Sequence, residues 1–91
     1  MPSYLVETYI ARGDDGGRAA RERRARSVAE ELTRQGTRVR FHRAIHVPED
    51  EICFFVFEAP SSVEAELLAE RAGLERLRVV EMIPSGEEFR S

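Results

Sequence analysis

His42, His46, Glu7, Glu51, Glu81, Tyr9 and Cys53 are the side chains here with the most chemical reach. His42 and His46 stand four residues apart. On a helix that spacing puts both imidazoles over one metal ion. On a strand it separates them by about 13 Å, far beyond metal–nitrogen bonds of about 2 Å. The run His42-Arg43-Ala44-Ile45-His46 also lacks the glutamate of the helical metalloprotease motif. Separate sites, or sites shared across a dimer, stay open. Glu7 and Glu81 fall in the first and last strand-like runs. If those strands are neighbours, two close carboxylates would raise one pKa and suit acid–base work or a cation. The bland alternative pairs each with an arginine such as Arg40 or Arg78. Tyr9 and His42 are candidate proton donors or acceptors. Cys53 lies among phenylalanines, where a thiol stays protonated and inert.

The elements that must position these groups can be read in order. Ser3–Ile10 alternates as a first strand, and Gly13–Gly17 reads as a loop. Arg18–Gln35 has helical spacing, with Ala25, Val28, Ala29 and Leu32 on one face and Gly36 as its terminator. Thr37–Val47 alternates again, and Pro48-Glu49-Asp50 suits a tight turn. Ile52–Glu58 is apolar enough for a central strand. Ser61 and Glu64 have capping-box spacing at the start of a second helix, whose apolar side is Val63, Leu67, Leu68 and Ala72. Leu77–Ile83 is a last strand, and a polar tail from Pro84 is expected to fray. The order βαββαβ is the ferredoxin-like split βαβ: an α+β fold with a four-stranded antiparallel sheet and two helices on one face. We expect a single domain over residues 1–91.

Strand parity then sorts the side chains. Tyr4, Val6, Thr8, Ile10, Val39 and Phe41 are expected toward the helices. The run Ile52–Glu58 is apolar on both sides and its facing stays open, but placing Glu58 outward puts Cys53, Phe55 and Phe57 with them. The open face is expected to carry Leu5, Tyr9, Phe54, Val56 and Val79 among Glu7, Arg40, His42, Glu58 and Glu81. So large an apolar patch marks an interaction surface. We expect a homodimer that packs sheet against sheet around a chamber. In that chamber His42, Glu7, Glu81 and Tyr9 are the candidate catalytic groups, and Phe54, Val56, Arg40 and Leu5 the candidate substrate contacts.

Composition excludes several classes. The chain carries a net charge of −3, so its total charge gives nucleic-acid binding no support. All 14 basic residues are arginine, which removes Schiff-base chemistry and the lysine-dependent phosphate loop. No apolar run is long enough for a membrane span. A start without a signal peptide, and one cysteine, lead us to expect a cytoplasmic protein.

Several segments resemble a family of small ferredoxin-like proteins, some described as nickel-binding. They are Tyr4-Leu5-Val6-Glu7-Thr8-Tyr9, Gly36-Thr37-Arg38-Val39-Arg40, Val47-Pro48-Glu49-Asp50-Glu51-Ile52-Cys53-Phe54, Phe57-Glu58-Ala59-Pro60-Ser61 and Arg71-Ala72-Gly73-Leu74. The resemblance implies a homodimer with a site for nickel or another divalent transition metal. Its imidazole and carboxylate ligands would come from His42, His46 and Glu51, with Glu7 and Glu81 as further candidates. The expected sheet-on-sheet dimer also resembles the dimeric α+β barrel proteins. That likeness implies an alternative: a cyclase, isomerase or cofactor-free monooxygenase acting on an aromatic or polyketide-like molecule in the chamber.

Overall fold

A computed structural model of the protein describes residues 1–83, with Arg76 and Leu77 described in backbone only. The expected fraying of the tail from Pro84 lies outside the described residues. The elements run β1 (Ser3–Tyr9), α1 (Asp15–Arg34), β2 (Arg40–Val47), a 3₁₀ turn (Pro48–Asp50), β3 (Ile52–Glu58), α2 (Ser62–Arg71) and β4 (Arg76–Met82). The sheet order is β2-β3-β1-β4 and every neighbouring pair is antiparallel. This is the ferredoxin-like α+β arrangement.

Helix α1 starts three residues earlier than the apolar spacing suggests. The Asp14 carboxylate accepts the Gly17 N–H at 3.0 Å, and Asp15 adds negative charge to the first turn. Gly17 suits this cap, because a Cβ there would crowd the Asp14 carboxylate. The far end of α1 closes as expected. Gly36 takes φ 100°, its N–H reaches the Thr33 carbonyl, and the Thr37 N–H reaches back to Leu32 at 2.9 Å, which together form a Schellman ending.

Ser61 caps α2, accepting the Val63 N–H at 3.3 Å and donating its hydroxyl to the Glu64 carboxylate. That hydrogen bond holds the Glu64 carboxyl below its ordinary range. The apolar face of α2 is rotated from the expected one. Ala65, Leu68, Ala69 and Ala72 are buried, whereas Val63 is 69% exposed. Small alanines let the helix approach the sheet closely, and Val63 in the first turn points away from it.

The core lies between the helices and one sheet face. Tyr4, Val6, Phe41, Cys53, Phe55 and Phe57 meet Ala25, Ala29, Leu32, Leu68 and Ala69 there. Phe41 sits 5.4 Å from Phe57 and 6.0 Å from Phe55, centroid to centroid, within the range of favourable aromatic pairs. Thr8 is the buried polar side chain of this layer, and its hydroxyl donates to the Glu75 carbonyl.

Cys53 has no exposed surface, and burial pushes its thiol from an ordinary 9.0 to about 11. A thiol-specific colorimetric reagent at pH 8 should therefore label it only as the protein unfolds. Between pH 9.0 and about 11 the unfolded thiol ionises while the folded one does not. Stability should thus fall with rising pH across that window and be unaffected by this group below it.

Candidate functional site

The sheet face away from the helices forms a grid whose rows follow from strand register. One row reads Arg40–Glu58–Ser3–Met82, the next Arg43–Val56–Leu5–Val80, then Ile45–Phe54–Glu7–Arg78, then Val47–Ile52–Tyr9. Directly paired residues share a face, so each row lies on one side of the sheet. The apolar members form a continuous patch, in which Tyr9 is 46% and Ile45 43% exposed.

Two irregularities decide which ionisable groups reach this face. The β2–β3 register shifts between Phe41 and Arg43, so His42 is an extra residue on β2. Beyond the bulge the parity reverses. Ala44 pairs with Phe55 and His46 with Cys53, both on the helix side. His42 and His46 therefore lie on opposite faces of one strand, and the Nε2 of His46 is buried without a hydrogen-bond partner. Glu51 sits at the hairpin turn with φ 53°, where its carboxylate accepts the Arg12 N–H at 2.9 Å. The set His42, His46 and Glu51 is thus not brought together. Among the described residues no group of three or more metal-ligating side chains converges.

The second correction concerns β4. Glu81 pairs with Tyr4 and Val79 with Val6, so both belong to the helix side, and Val79 packs against the core. Arg78, Val80 and Met82 take their places on the open face. Both alternating sets of this strand contain apolar residues, so its parity could not be read from pattern alone. Glu7 and Glu81 consequently lie on opposite faces of the sheet. Its Oε1 accepts from the Arg78 Nε at 2.6 Å. With Arg78 largely exposed, such a pair contributes about 0–1 kcal/mol. Tyr9 lies six strand positions from the His42 end, about 20 Å away, so it shares the face but not the site.

The structure instead joins His42 to Glu58. The imidazole Nε2 and the carboxylate Oε1 are 3.2 Å apart. The pair borders a recess of about 490 Å³ lined also by Ser3, Arg43, Val56 and Met82. Of the expected substrate contacts, Val56 lines this recess and Leu5 is its neighbour one strand on, whereas Phe54 is one row further along. Arg40 stands opposite Glu58 but lines a different cleft, beside α1.

Glu58 was expected on this face, but not as the partner of His42; Ser3, Arg43 and Met82 were not legible as site residues. Counting outward in pairs from the Pro48 turn brings His42 within one pleat of Glu58, which is the signal that could have found that pair. Two donors each about 2.1 Å from one metal ion are about 3.0 Å apart at a right angle and about 3.4 Å apart at the tetrahedral angle. The His42–Glu58 separation of 3.2 Å is an ordinary imidazole–carboxylate ion-pair distance and also falls within this range.

No family model and no curated protein matches the chain. Among solved structures it is similar to the crystal structure of SCO4226 from Streptomyces coelicolor A3(2). The TM-score is 0.75 with 17% identical residues, over 91% of this chain and 98% of that one. At that identity the likeness shows the fold, and function has to be argued from the site.

Proposed function

We propose that this protein binds a divalent transition metal of the nickel type through His42 and Glu58, on a sheet face covered by a second copy of the chain. The observation that carries the reading is the 3.2 Å separation of an imidazole nitrogen and a carboxylate oxygen, a borderline-metal donor pair, on a face that is otherwise largely apolar. Two donors make a weak site. A homodimer that brings two such faces together supplies up to four, and the paired carboxylates offset the charge of the flanking Arg43. The resemblance of the sequence to nickel-binding ferredoxin-like proteins points the same way.

The apolar rows support the dimer. A sheet packed on one side only leaves its other pleat open, and stacking two such faces removes both from water. Phe54→Arg, which puts a charge at the middle of the patch and touches no core residue, should shift the dimer toward monomer in sedimentation velocity while far-UV circular dichroism stays unchanged. A wild-type protein that remains monomeric at high concentration would contradict this part of the reading.

Calorimetric titration with Ni²⁺, Co²⁺ and Zn²⁺ tests the metal. Saturable binding by the wild type that is lost in His42→Ala and weakened in Glu58→Gln supports it. Equal heats from the wild type and the His42→Ala/Glu58→Gln double variant overturn it. Because only neutral imidazole binds a metal, affinity should also decline on acidification.

A second reading rests on the recess around the same pair. In an enzyme, Glu58 would orient the imidazole of His42 as a general acid–base, and Arg43 would hold the anionic end of an aromatic or polyketide-like substrate against Val56 and Met82. A product formed by the wild type under chelator and lost in His42→Ala would favour this reading over the metal.

A further inference from the structure

We infer that a second cleft, between α1 and the edge strand β2, is a binding site for a small amphipathic anion, a phosphate monoester or carboxylate carrying an apolar body. The cleft has a volume of about 810 Å³, within the range of small-molecule sites. Its apolar surface is supplied by Ala29, Val39 and Phe41, each with under a tenth of its surface exposed. Its polar lining is unusual for a chain of net negative charge: Arg26, Arg34, Arg38 and Arg40 all border it.

These four arginines differ from those that stabilise the fold. Arg18 pairs with Glu22, Arg24 donates to the Ala72 carbonyl and Arg78 pairs with Glu7. The guanidinium groups of Arg34, Arg38 and Arg40 have no ion-pair or hydrogen-bond partner among the described residues. Arg26 lies over the Phe41 ring, 5.1 Å from its centroid, a position that orients the guanidinium without neutralising it. Glu30 also borders the cleft, and Glu58 is engaged with His42. The balance remains positive beside a buried aromatic surface.

That combination selects the ligand. Unpaired guanidinium forks match phosphate or carboxylate oxygens in pairs. The apolar wall gives a bare inorganic anion nothing to bury, and the arginines give a neutral aromatic no counter-charge. A polyanion such as duplex nucleic acid needs a longer basic stripe and would meet the negative charge of the rest of the surface. The ordinary role of such arginines is to keep the edge of β2 from pairing with other sheets and to complement the C-terminal dipole of α1. That role requires neither their placement around one cleft nor the aromatic wall.

The inference does not depend on the metal reading, so its test is run with excess chelator. ¹⁵N-labelled wild-type protein is titrated with phenyl phosphate, inorganic phosphate and benzyl alcohol, and amide shifts are followed by NMR. Phenyl phosphate should saturate, moving the amides of Arg26, Ala29, Thr33 and residues 38–41, and should bind about tenfold tighter than either fragment. An Arg34→Gln/Arg38→Gln variant, both sites lying on the surface, should weaken it about tenfold with an otherwise unchanged spectrum, and added salt should weaken it as well. An Arg12→Gln/Arg71→Gln control should bind as the wild type does. Four results would overturn the inference: no saturation, shifts centred on the open sheet face, equal binding by inorganic phosphate, or full affinity in the Arg34→Gln/Arg38→Gln variant.

Discussion

A His42→Ala variant should lose nickel affinity on the order of a hundredfold, about 2.7 kcal/mol, while His46→Ala stays within about twofold of the wild type. The contrast is sharp because the two histidines, four residues apart, are separated by the bulge at His42–Arg43 and lie on opposite faces. His42 meets Glu58 at 3.2 Å on the open side. His46 faces the helix layer opposite Cys53. A thiol pushed up to about 11 by burial is a poor partner ligand at neutral pH. Equilibrium dialysis of the two variants against Ni²⁺ measures the difference. Equal losses in both would mean that the bulge does not separate them in the binding form. A loss confined to His46→Ala would move the site to the other face.

The second large effect concerns what holds this face in place. Phe57→Ala should destabilise the protein by about 3–5 kcal/mol in urea denaturation. A domain of this size has about 5–13 kcal/mol in total, so the variant should be close to unfolding at moderate temperature. Phe57 has no exposed surface, and its ring packs against Phe41. It also stands between Val56 and Glu58 on β3, so the strand that presents Glu58 outward is anchored by the ring pointing inward. Phe54→Ala on the same strand, with its side chain on the open face, should cost markedly less in a dilute monomer. Similar midpoints for the two variants would contradict the assignment of faces.

The contrast between strands also explains how far the sequence carries. β1 alternates without interruption, and the faces expected for it are found: Tyr4 and Val6 inward, Leu5, Glu7 and Tyr9 outward. β3 is apolar in both alternating sets, so its facing was open in the sequence; its register with β1 puts Glu58 and Phe54 outward and Cys53, Phe55 and Phe57 inward. The two edge strands depart from simple alternation. β2 carries its bulge at a His–Arg step with no glycine to announce it, and everything after it changes side, His46 included. β4 carries apolar residues in both alternating sets, so only its register with β1 shows that Glu81 faces the helix side and that Arg78 pairs with Glu7.

Local end signals were legible where a side chain closes a helix, as at Gly36 and Ser61. They misled at Asp14, whose cap extends α1 through two glycines that composition alone reads as loop. The fold survives such errors because it depends on element order and period. The site does not, because a shift of one residue moves a ligand to the other face.

The most direct test of the account is paramagnetic mapping. Substoichiometric Ni²⁺ is added to ¹⁵N-labelled protein and the loss of each amide signal is followed. Broadening should begin at His42, Arg43 and Glu58, extend to Ser3, and leave Glu51 and the helix-side residues around His46 and Cys53 for last. Broadening centred on His46 or Glu51, or spread evenly over the carboxylates of the surface, would contradict a metal site built from His42 and Glu58.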